Sequence, residues 1–517
     1  MGLGAVSSLI VLFSRRRTYM GIVIRQSMKA SFAAYIGVAV GMTNVLLVST
    51  QFLSPEQLGL SRLLLENSLI FAGMANLGVP FMADRFFARY RDDARGHHGI
   101  LLFMLLFPLL GIGLFVLLYW LFQNQILAYF GTKSPLILGF HYLVLPLTVL
   151  WVYVSVLEAY CRNNARIAVP TFVREVYIKA ANMVLVLLFG LGWYSFEWMM
   201  YLIVASYALA VGALLIYIRI LGKLYLNFDF KILRTKYFQE ILGSGLFVIV
   251  SGLGSNLILL IDRTILSGES KNGLTDMAIF TIAMLIASII EIPRNMVRQI
   301  SGPIIALAIH QKDWQRVGVM YQKSALNLLL VAGIAFVLMW CNIDSIFSVL
   351  PKAEIYKNGK LVVLLLGLAK VIEMANGLNA EIIQYSQHYR KGTYLVFLIA
   401  FVAVWLNKWL VPQYQYNGAA LATTLSVLIY CAGRVGLVWY WFRLQPYTFQ
   451  ALKAVAVLAV IFGIGLVLPP LGASVAATVA TVAYKSLVLA GVFGGAVVYF
   501  DISEDVTAMW HGLKAKR

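Results

Sequence analysis

Residues 243–303, GSGLFVIVSGLGSNLILLIDRTILSGESKNGLTDMAIFTIAMLIASIIEIPRNMVRQISGP, carry Asp262, Arg263, Glu291, Arg294 and Arg298 inside sequence that otherwise reads as membrane hydrocarbon. An isolated charge at the centre of a membrane helix costs roughly 2.5–3.5 kcal/mol on insertion scales, so such residues face a wet cavity or a partner. The stretch begins with small residues from Gly243 to Asn256, crosses to Asp262-Arg263, turns at Ser267 to Asn272 and returns through Glu291-Ile292-Pro293 to Arg298. The expectation is a pair of helices walling an internal cavity.

The rest of the chain has the same character. Of 517 residues, 61% are hydrophobic and 12% charged, about half the charged fraction of soluble domains. Apolar runs of about 20 residues recur from end to end, long enough as helices to cross roughly 30 Å of hydrocarbon. Transmembrane strands would be half as long and alternate polar with apolar. The predicted class is therefore an all-α polytopic membrane protein. The three cysteines, Cys161, Cys341 and Cys431, are far apart in apolar sequence and imply neither a disulfide framework nor a metal site. The apolar run Leu3 to Phe13 precedes Arg15-Arg16-Arg17, the reverse of a signal peptide, which predicts a cytoplasmic tail over 1–21 or a start at Met20-Gly21.

Fourteen spans are predicted: 27–50, 61–84, 99–122, 136–160, 170–191, 198–218, 241–266, 277–300, 324–343, 360–384, 393–411, 418–441, 454–472 and 474–499. With the N-terminus inside, 28 Lys and Arg fall on the cytoplasmic side against 8 on the outer side, which predicts cytoplasmic termini. This distribution also accounts for most of the +19 net charge without nucleic acid. The first two spans resemble the seventh and eighth at an offset near 213: Asn44 answers to Asn256, Ser54-Pro55-Glu56 to Ser267-Gly268-Glu269, and Pro80 with Arg85 to Pro293 with Arg298. That predicts two six-helix lobes in parallel repeat, 22–236 and 237–443, then two further helices in 444–500 and a cytoplasmic tail over 501–517.

Leu53-Ser54-Pro55-Glu56-Gln57-Leu58-Gly59, Ile261-Asp262-Arg263, Ile290-Glu291-Ile292-Pro293 and Asn417-Gly418-Ala419-Ala420-Leu421-Ala422-Thr423 resemble the multidrug/oligosaccharidyl-lipid/polysaccharide (MOP) exporter superfamily, in its polysaccharide-transporter branch of Wzx-type O-antigen flippases. The resemblance runs over nearly the whole chain from Gly21. It implies a 6+6+2 helix architecture and a central cavity lined by the first two helices of each half. It also implies movement of an undecaprenyl-diphosphate-linked oligosaccharide from the inner to the outer leaflet of a bacterial cytoplasmic membrane. The implied partners are that substrate, membrane lipids and other polysaccharide assembly proteins.

No HExxH, GxxxxGK[ST] or CxxC pattern occurs, and of six histidines only His141 lies inside a span, so no enzyme and no cofactor are expected. A diphosphate crossing hydrocarbon needs forked, charged donors. The candidate substrate-binding cations are Arg298, Arg294, Arg62, Lys29, Arg25 and Lys370. Arg25 and Lys29 also suit an ordinary positive-inside role. Asp262, Arg263, Glu66, Glu291 and Glu373 are candidates for coupling or for ion pairs, the coupling ion being H⁺ or Na⁺. Local spacing pairs Arg62 with Glu66, Glu291 with Arg294 and Lys370 with Glu373, and groups Arg174, Glu175 and Lys179. Pro80 and Pro293 are candidate hinges. A small-molecule antiporter is the main alternative, since Asp84-Arg85 and Arg89-Tyr90-Arg91 resemble the major-facilitator loop; a polysaccharide-assembly membrane enzyme is the second.

Overall fold

The structure, a computed structural model, describes residues 25–26, 28–90, 92, 95–228, 261–472 and 474–508. The small-residue run Gly243 to Asn256, most of the predicted 241–266 span and the extreme tails lie outside the described residues. The chain divides into two compact units, residues 1–260 and 261–517. Among the described residues ten helices are long and apolar enough to cross a membrane, or eleven counting one bent pair. Helices also occupy the other predicted positions that fall on described residues. The 168–190 helix carries Arg174, Glu175 and Lys179 and is not among the ten.

The first unit contains α1 (Met28–Phe52), α2 (Pro55–Ala75), α3 (Val79–Tyr90), α4 (Gly96–Gly131), α5 (His141–Asn163), α6 (168–190) and α7 (Phe196–Ile220). The Leu53–Gly59 motif has a local cause. Ser54 Oγ accepts from Gln57 N at 3.1 Å, Gln57 Oε1 accepts from Ser54 N at 3.0 Å, and Pro55 occupies the first turn, so the motif is a capping box that starts α2. The expected single span 61–84 is broken. Asn76 Oδ1 accepts from Gly78 N at 2.8 Å, and Leu77 and Gly78 take φ of 50° and 71°, so the helix stops and α3 begins with Pro80 in its first turn. The α2–α3 pair packs on α5, and Arg162 at the end of α5 forks onto Asp84 of α3 at 3.1 and 2.7 Å. His141 is a hydrogen-bonding residue, its Nδ1 lying 2.6 Å from Tyr119 Oη.

The second unit contains α8 (261–269), α9 (Gly273–Ser288), α10 (Ile292–His310), α11 (Trp314–Cys341), α12 (Lys360–Ala375), α13 (Asn379–Tyr385), α14 (389–414), α15 (416–442), α16 (Phe449–Val467) and α17 (Val475–Tyr499). The expected span 277–300 is interrupted by a 3₁₀ turn at Ile289–Glu291, after which Pro293 lies in the first turn of α10. The expected span 360–384 is also broken: α12 and α13 meet at Asn376–Leu378, with Gly377 at φ 57°, and the helical pair bends by 53°. Both Asn breaks follow Met-Ala, at Met74-Ala75-Asn76 and Met374-Ala375-Asn376.

Residues 389–442 are helical almost throughout, and a straight helix of that length would reach about 80 Å, more than twice the hydrocarbon thickness. Gln415, at φ 55° and ψ −134°, reverses the chain instead. Leu406 and Leu410 of α14 then pack against Ala422 of α15, and Gly433 faces Leu395, a ladder of contacts that defines an antiparallel hairpin. A Cβ at Gly418 would collide with the Leu410 carbonyl, so this close approach requires glycine. The α16–α17 pair packs on α11. Val337, Leu458, Ile461 and Leu489 form one cluster, and Leu329, Leu330, Ala454, Val497 and Ile502 another. The chain after α17 closes over α11 through Ser503 and Asp505 on Asn327 and through Glu504, 3.0 Å from Lys323.

Candidate substrate and coupling sites

Four of the expected site residues meet in the second unit. Arg294, at the start of α10, reaches Glu291 at 3.2 Å and Glu373 of α12 at 2.5 Å; Lys370, one turn before Glu373, reaches Glu291 at 2.5 Å and Glu373 at 3.5 Å. Each cation therefore touches both carboxylates, and each carboxylate both cations. The strongest contacts join residues 79 apart in sequence, across helices, whereas local spacing had paired them within one turn. The break before α10 makes this possible: the 3₁₀ turn puts Glu291 at the helix start, and Pro293 removes an amide donor the first turn does not need. Buried cations without such partners would be strongly disfavoured.

Arg298, one turn beyond Arg294, points to a partner the sequence reading missed. Its Nε donates to Glu381 Oε1 of α13 at 2.6 Å, with the carboxylate side chain 4% exposed and the Arg side chain 47% exposed. Glu381 lies after the Asn376–Leu378 break, so an expectation of one straight helix could not place it. The arrangement mirrors that of the first unit with charge exchanged: Asp84 of α3 binds Arg162 of α5, and Arg298 of α10 binds Glu381 of α13.

Asp262 forms a different kind of site. Its carboxylate is 4% exposed and accepts from Asn407 Nδ2 of α14 at 2.5 Å and from Thr423 Oγ1 of α15 at 2.6 Å. The hairpin at Gln415 brings these two donors together from either side of the turn. Thr423 belongs to the Asn417–Thr423 motif, so a signal for it was present; Asn407 stands in apolar sequence as a single polar residue. Arg263 is buried and donates to Met284 Sδ at 2.7 Å. Among the described residues no group of three or more His, Cys, Asp or Glu side chains is arranged to hold a metal ion.

The remaining candidates lie in the first unit. Arg25 and Lys29 are exposed at the start of α1, where Gln26 Oε1 accepts from Ala168 N at 3.1 Å and ties that end to α6. Arg62 and Glu66 are partly buried on α2, Arg62 within electrostatic reach of the Tyr207 hydroxyl. The first unit also holds a charge network of its own. Arg174 Nη1 donates to both carboxylate oxygens of Glu158 of α5, at 2.9 and 2.8 Å, and Arg174 Nε donates to Glu175 at 3.0 Å, while Lys179 contacts Glu175 at 2.8 Å. Glu158 is the partner that local spacing could not supply. Arg174 and Glu175 lie on a π-helical turn, Val173–Tyr177, a distortion frequent at functional sites.

Comparison with known proteins adds the fold. The structure is similar to that of the lipid II flippase MurJ in an inward closed conformation, with TM-score 0.69, 11% identity, and coverage of 92% of this chain and 100% of that one. It is also similar to an inward-facing multidrug resistance MATE family transporter of the MOP superfamily, with TM-score 0.58, 14% identity and coverage of 84% and 98%. A MOP superfamily transporter from Pyrococcus furiosus, whose binding pocket is described as having reverse polarity, gives TM-score 0.51 at 15% identity and coverage of 84% and 96%. The chain thus has the fold of MOP superfamily membrane transporters. No curated protein matches it in sequence. A family profile described as "Polysaccharide biosynthesis protein" matches residues 33–306, more than half of the chain, and with the fold and the charged helices in place the protein belongs to that family.

Proposed function

We propose that the protein is a flippase that moves an undecaprenyl-diphosphate-linked oligosaccharide, an O-antigen or capsule repeat unit, from the inner to the outer leaflet of a bacterial cytoplasmic membrane by alternating access. Both termini face the cytoplasm in this reading. The observation that carries it is the network of Arg294 and Lys370 with Glu291 and Glu373 inside apolar helices. Each cation holds carboxylate oxygens in the geometry a phosphate oxygen would take, so an incoming diphosphate replaces one acceptor with another instead of meeting bare hydrocarbon. Arg298, Arg62, Arg25 and Lys29 are the further cations assigned to the substrate. Pro80 and Pro293, each in the first turn after a helix break, are the assigned hinges.

Asp262 is the assigned coupling residue. A carboxylate buried with two neutral donors keeps lone pairs for H⁺ or Na⁺, and binding there would bias the α14–α15 hairpin that supplies both donors. The test is deletion of the gene in its host. Loss of surface glycan with lipid-linked repeat units accumulating on the cytoplasmic leaflet supports the reading. Surface display of single unpolymerised units would point to a polymerase, and unchanged glycan with new sensitivity to cationic drugs would point to a drug antiporter.

A further inference from the structure

The intramembrane network contains one cation more than its carboxylates engage. Arg434 of α15 lies within electrostatic reach of Glu373, and the Cys431 thiol beside it is within reach of Arg294, Lys370, Glu373 and Arg434 alike, which places Arg434 at the edge of the network. Glu291 and Glu373 are each already shared between Arg294 and Lys370. Among the described residues the Arg434 guanidinium makes no hydrogen bond and no ion pair; its contact is with the Tyr430 ring, 3.6 Å from the centroid.

The direction of that contact matters. Helical side chains lean toward the N-terminus, and Tyr430 lies one turn N-terminal to Arg434. The guanidinium is therefore drawn toward the middle of α15 and away from the helix end at Phe442, about 12 Å further along. A lysine or arginine that merely snorkels to the nearest interface extends the other way. Stacking on Tyr430 covers one face of the guanidinium plane and leaves the forked N–H edge, the part that recognises oxyanions, without an acceptor.

We infer that Arg434, held by Tyr430, is an oxyanion-binding residue of the second unit, its ligand a diphosphate group. The site rests on the flippase reading for the source of that group, a lipid-linked diphosphate, but its chemistry is shared with free diphosphate. Arg294 and Lys370 are neutralised within the protein until Glu291 and Glu373 are displaced, whereas Arg434 offers donors to an arriving anion at once. Within this network it is accordingly the first contact, and Glu373, within its electrostatic reach, is the carboxylate displaced next.

The full-length protein in lipid nanodiscs is titrated with undecaprenyl diphosphate and, separately, with inorganic diphosphate, for wild type, R434Q, R434K, Y430F and Y430L. Thermal unfolding without ligand is the control for folding. Loss of a forked charged contact predicts about tenfold or more weaker binding in R434Q and a smaller loss in R434K, which keeps the charge but not the fork. Loss of the stacked ring predicts about threefold weaker binding in Y430L and less than about twofold change in Y430F. If R434Q unfolds, the contrast between Y430L and Y430F, with R434K, decides the matter. Wild-type binding of undecaprenyl diphosphate that survives unchanged in R434Q and Y430L overturns the role of Arg434 and leaves the flippase reading standing. Binding of inorganic diphosphate that depends on Arg434, without binding of the lipid, supports the oxyanion site and overturns the lipid-carrier reading. No binding of either diphosphate by the wild type overturns the site.

Discussion

Replacing Arg298 with alanine removes the partner of a carboxylate that is 4% exposed, while replacing Glu381 with glutamine leaves an Arg that is 47% exposed and still able to donate to the amide oxygen. The two ends of this bridge should therefore differ in cost. Stranding a fully buried charge costs about 3–5 kcal/mol; because the Arg side chain is half in solvent, the loss in R298A scales down to about 1–3 kcal/mol. Glu381 Oε2 has no hydrogen-bond partner among the described residues, and with Arg298 gone the cation left within electrostatic reach is Arg294, which Glu291 and Glu373 already engage. E381Q exchanges a charge-assisted bond for a neutral one and should cost about 1 kcal/mol or less. In R298A/E381Q the buried charge is gone as well, so the double variant should recover part of the R298A loss. The assay is thermal unfolding of the four purified proteins in one detergent, followed by size-exclusion chromatography, and the double-mutant cycle should yield a coupling of about 1–2 kcal/mol. E381Q as destabilised as R298A, or additive losses, would refute the assignment of Glu381 as the buried member that needs its cation. Under the flippase reading, R298A in cells is expected to abolish surface glycan with protein still in the membrane; normal glycan would remove Arg298 from the proposed substrate cations.

Exchanging charge across the network in E291K/K370E should recover membrane abundance relative to K370E alone, because the contact pairs them across helices; abundance as low as in K370E would argue that the two do not pair. Under the flippase reading the same double variant stays inactive in glycan export, since a carboxylate then stands where a phosphate-binding cation stood. D262N, near-isosteric and able to keep contacts with Asn407 and Thr423, should fold normally yet remove any dependence of transport on Na⁺ or pH; transport with unchanged ion dependence would exclude Asp262 from coupling. G418A should lower the unfolding temperature, because its methyl group meets the Leu410 carbonyl and forces the hairpin apart at a cost of about 1–3 kcal/mol. G436A, with open space around the new methyl, is the control and should be near neutral.

Much of the molecule was legible from residue order. Apolar runs placed helices at their observed positions because membrane partitioning sums over about 20 consecutive residues and needs no knowledge of neighbours. Ser54-Pro55-Glu56-Gln57 announced a helix start because a capping box is closed by residues three apart. The helix breaks were readable only in part. Pro80 and Pro293 were singled out, but Asn76-Leu77-Gly78 and Asn376-Gly377-Leu378 decide where α2 and α12 stop, and each is a short polar interruption in an otherwise sufficient apolar run. The reversal at Gln415 likewise separates two spans that were expected at 393–411 and 418–441.

What the sequence by itself determined is that this chain is a polytopic helical membrane protein with charges inside its spans, because hydrophobicity and backbone preference are local properties. Which charges meet was decided by the tertiary structure. Any pair three or four residues apart is capable of pairing, so spacing cannot choose between Glu291 with Arg294 and Glu291 with Lys370, while Arg298 with Glu381, Arg174 with Glu158 and Asp262 with Asn407 and Thr423 exist only once separate helices are packed side by side. In a low-dielectric interior each charge takes the partner that packing brings within about 3 Å, and that choice belongs to the fold.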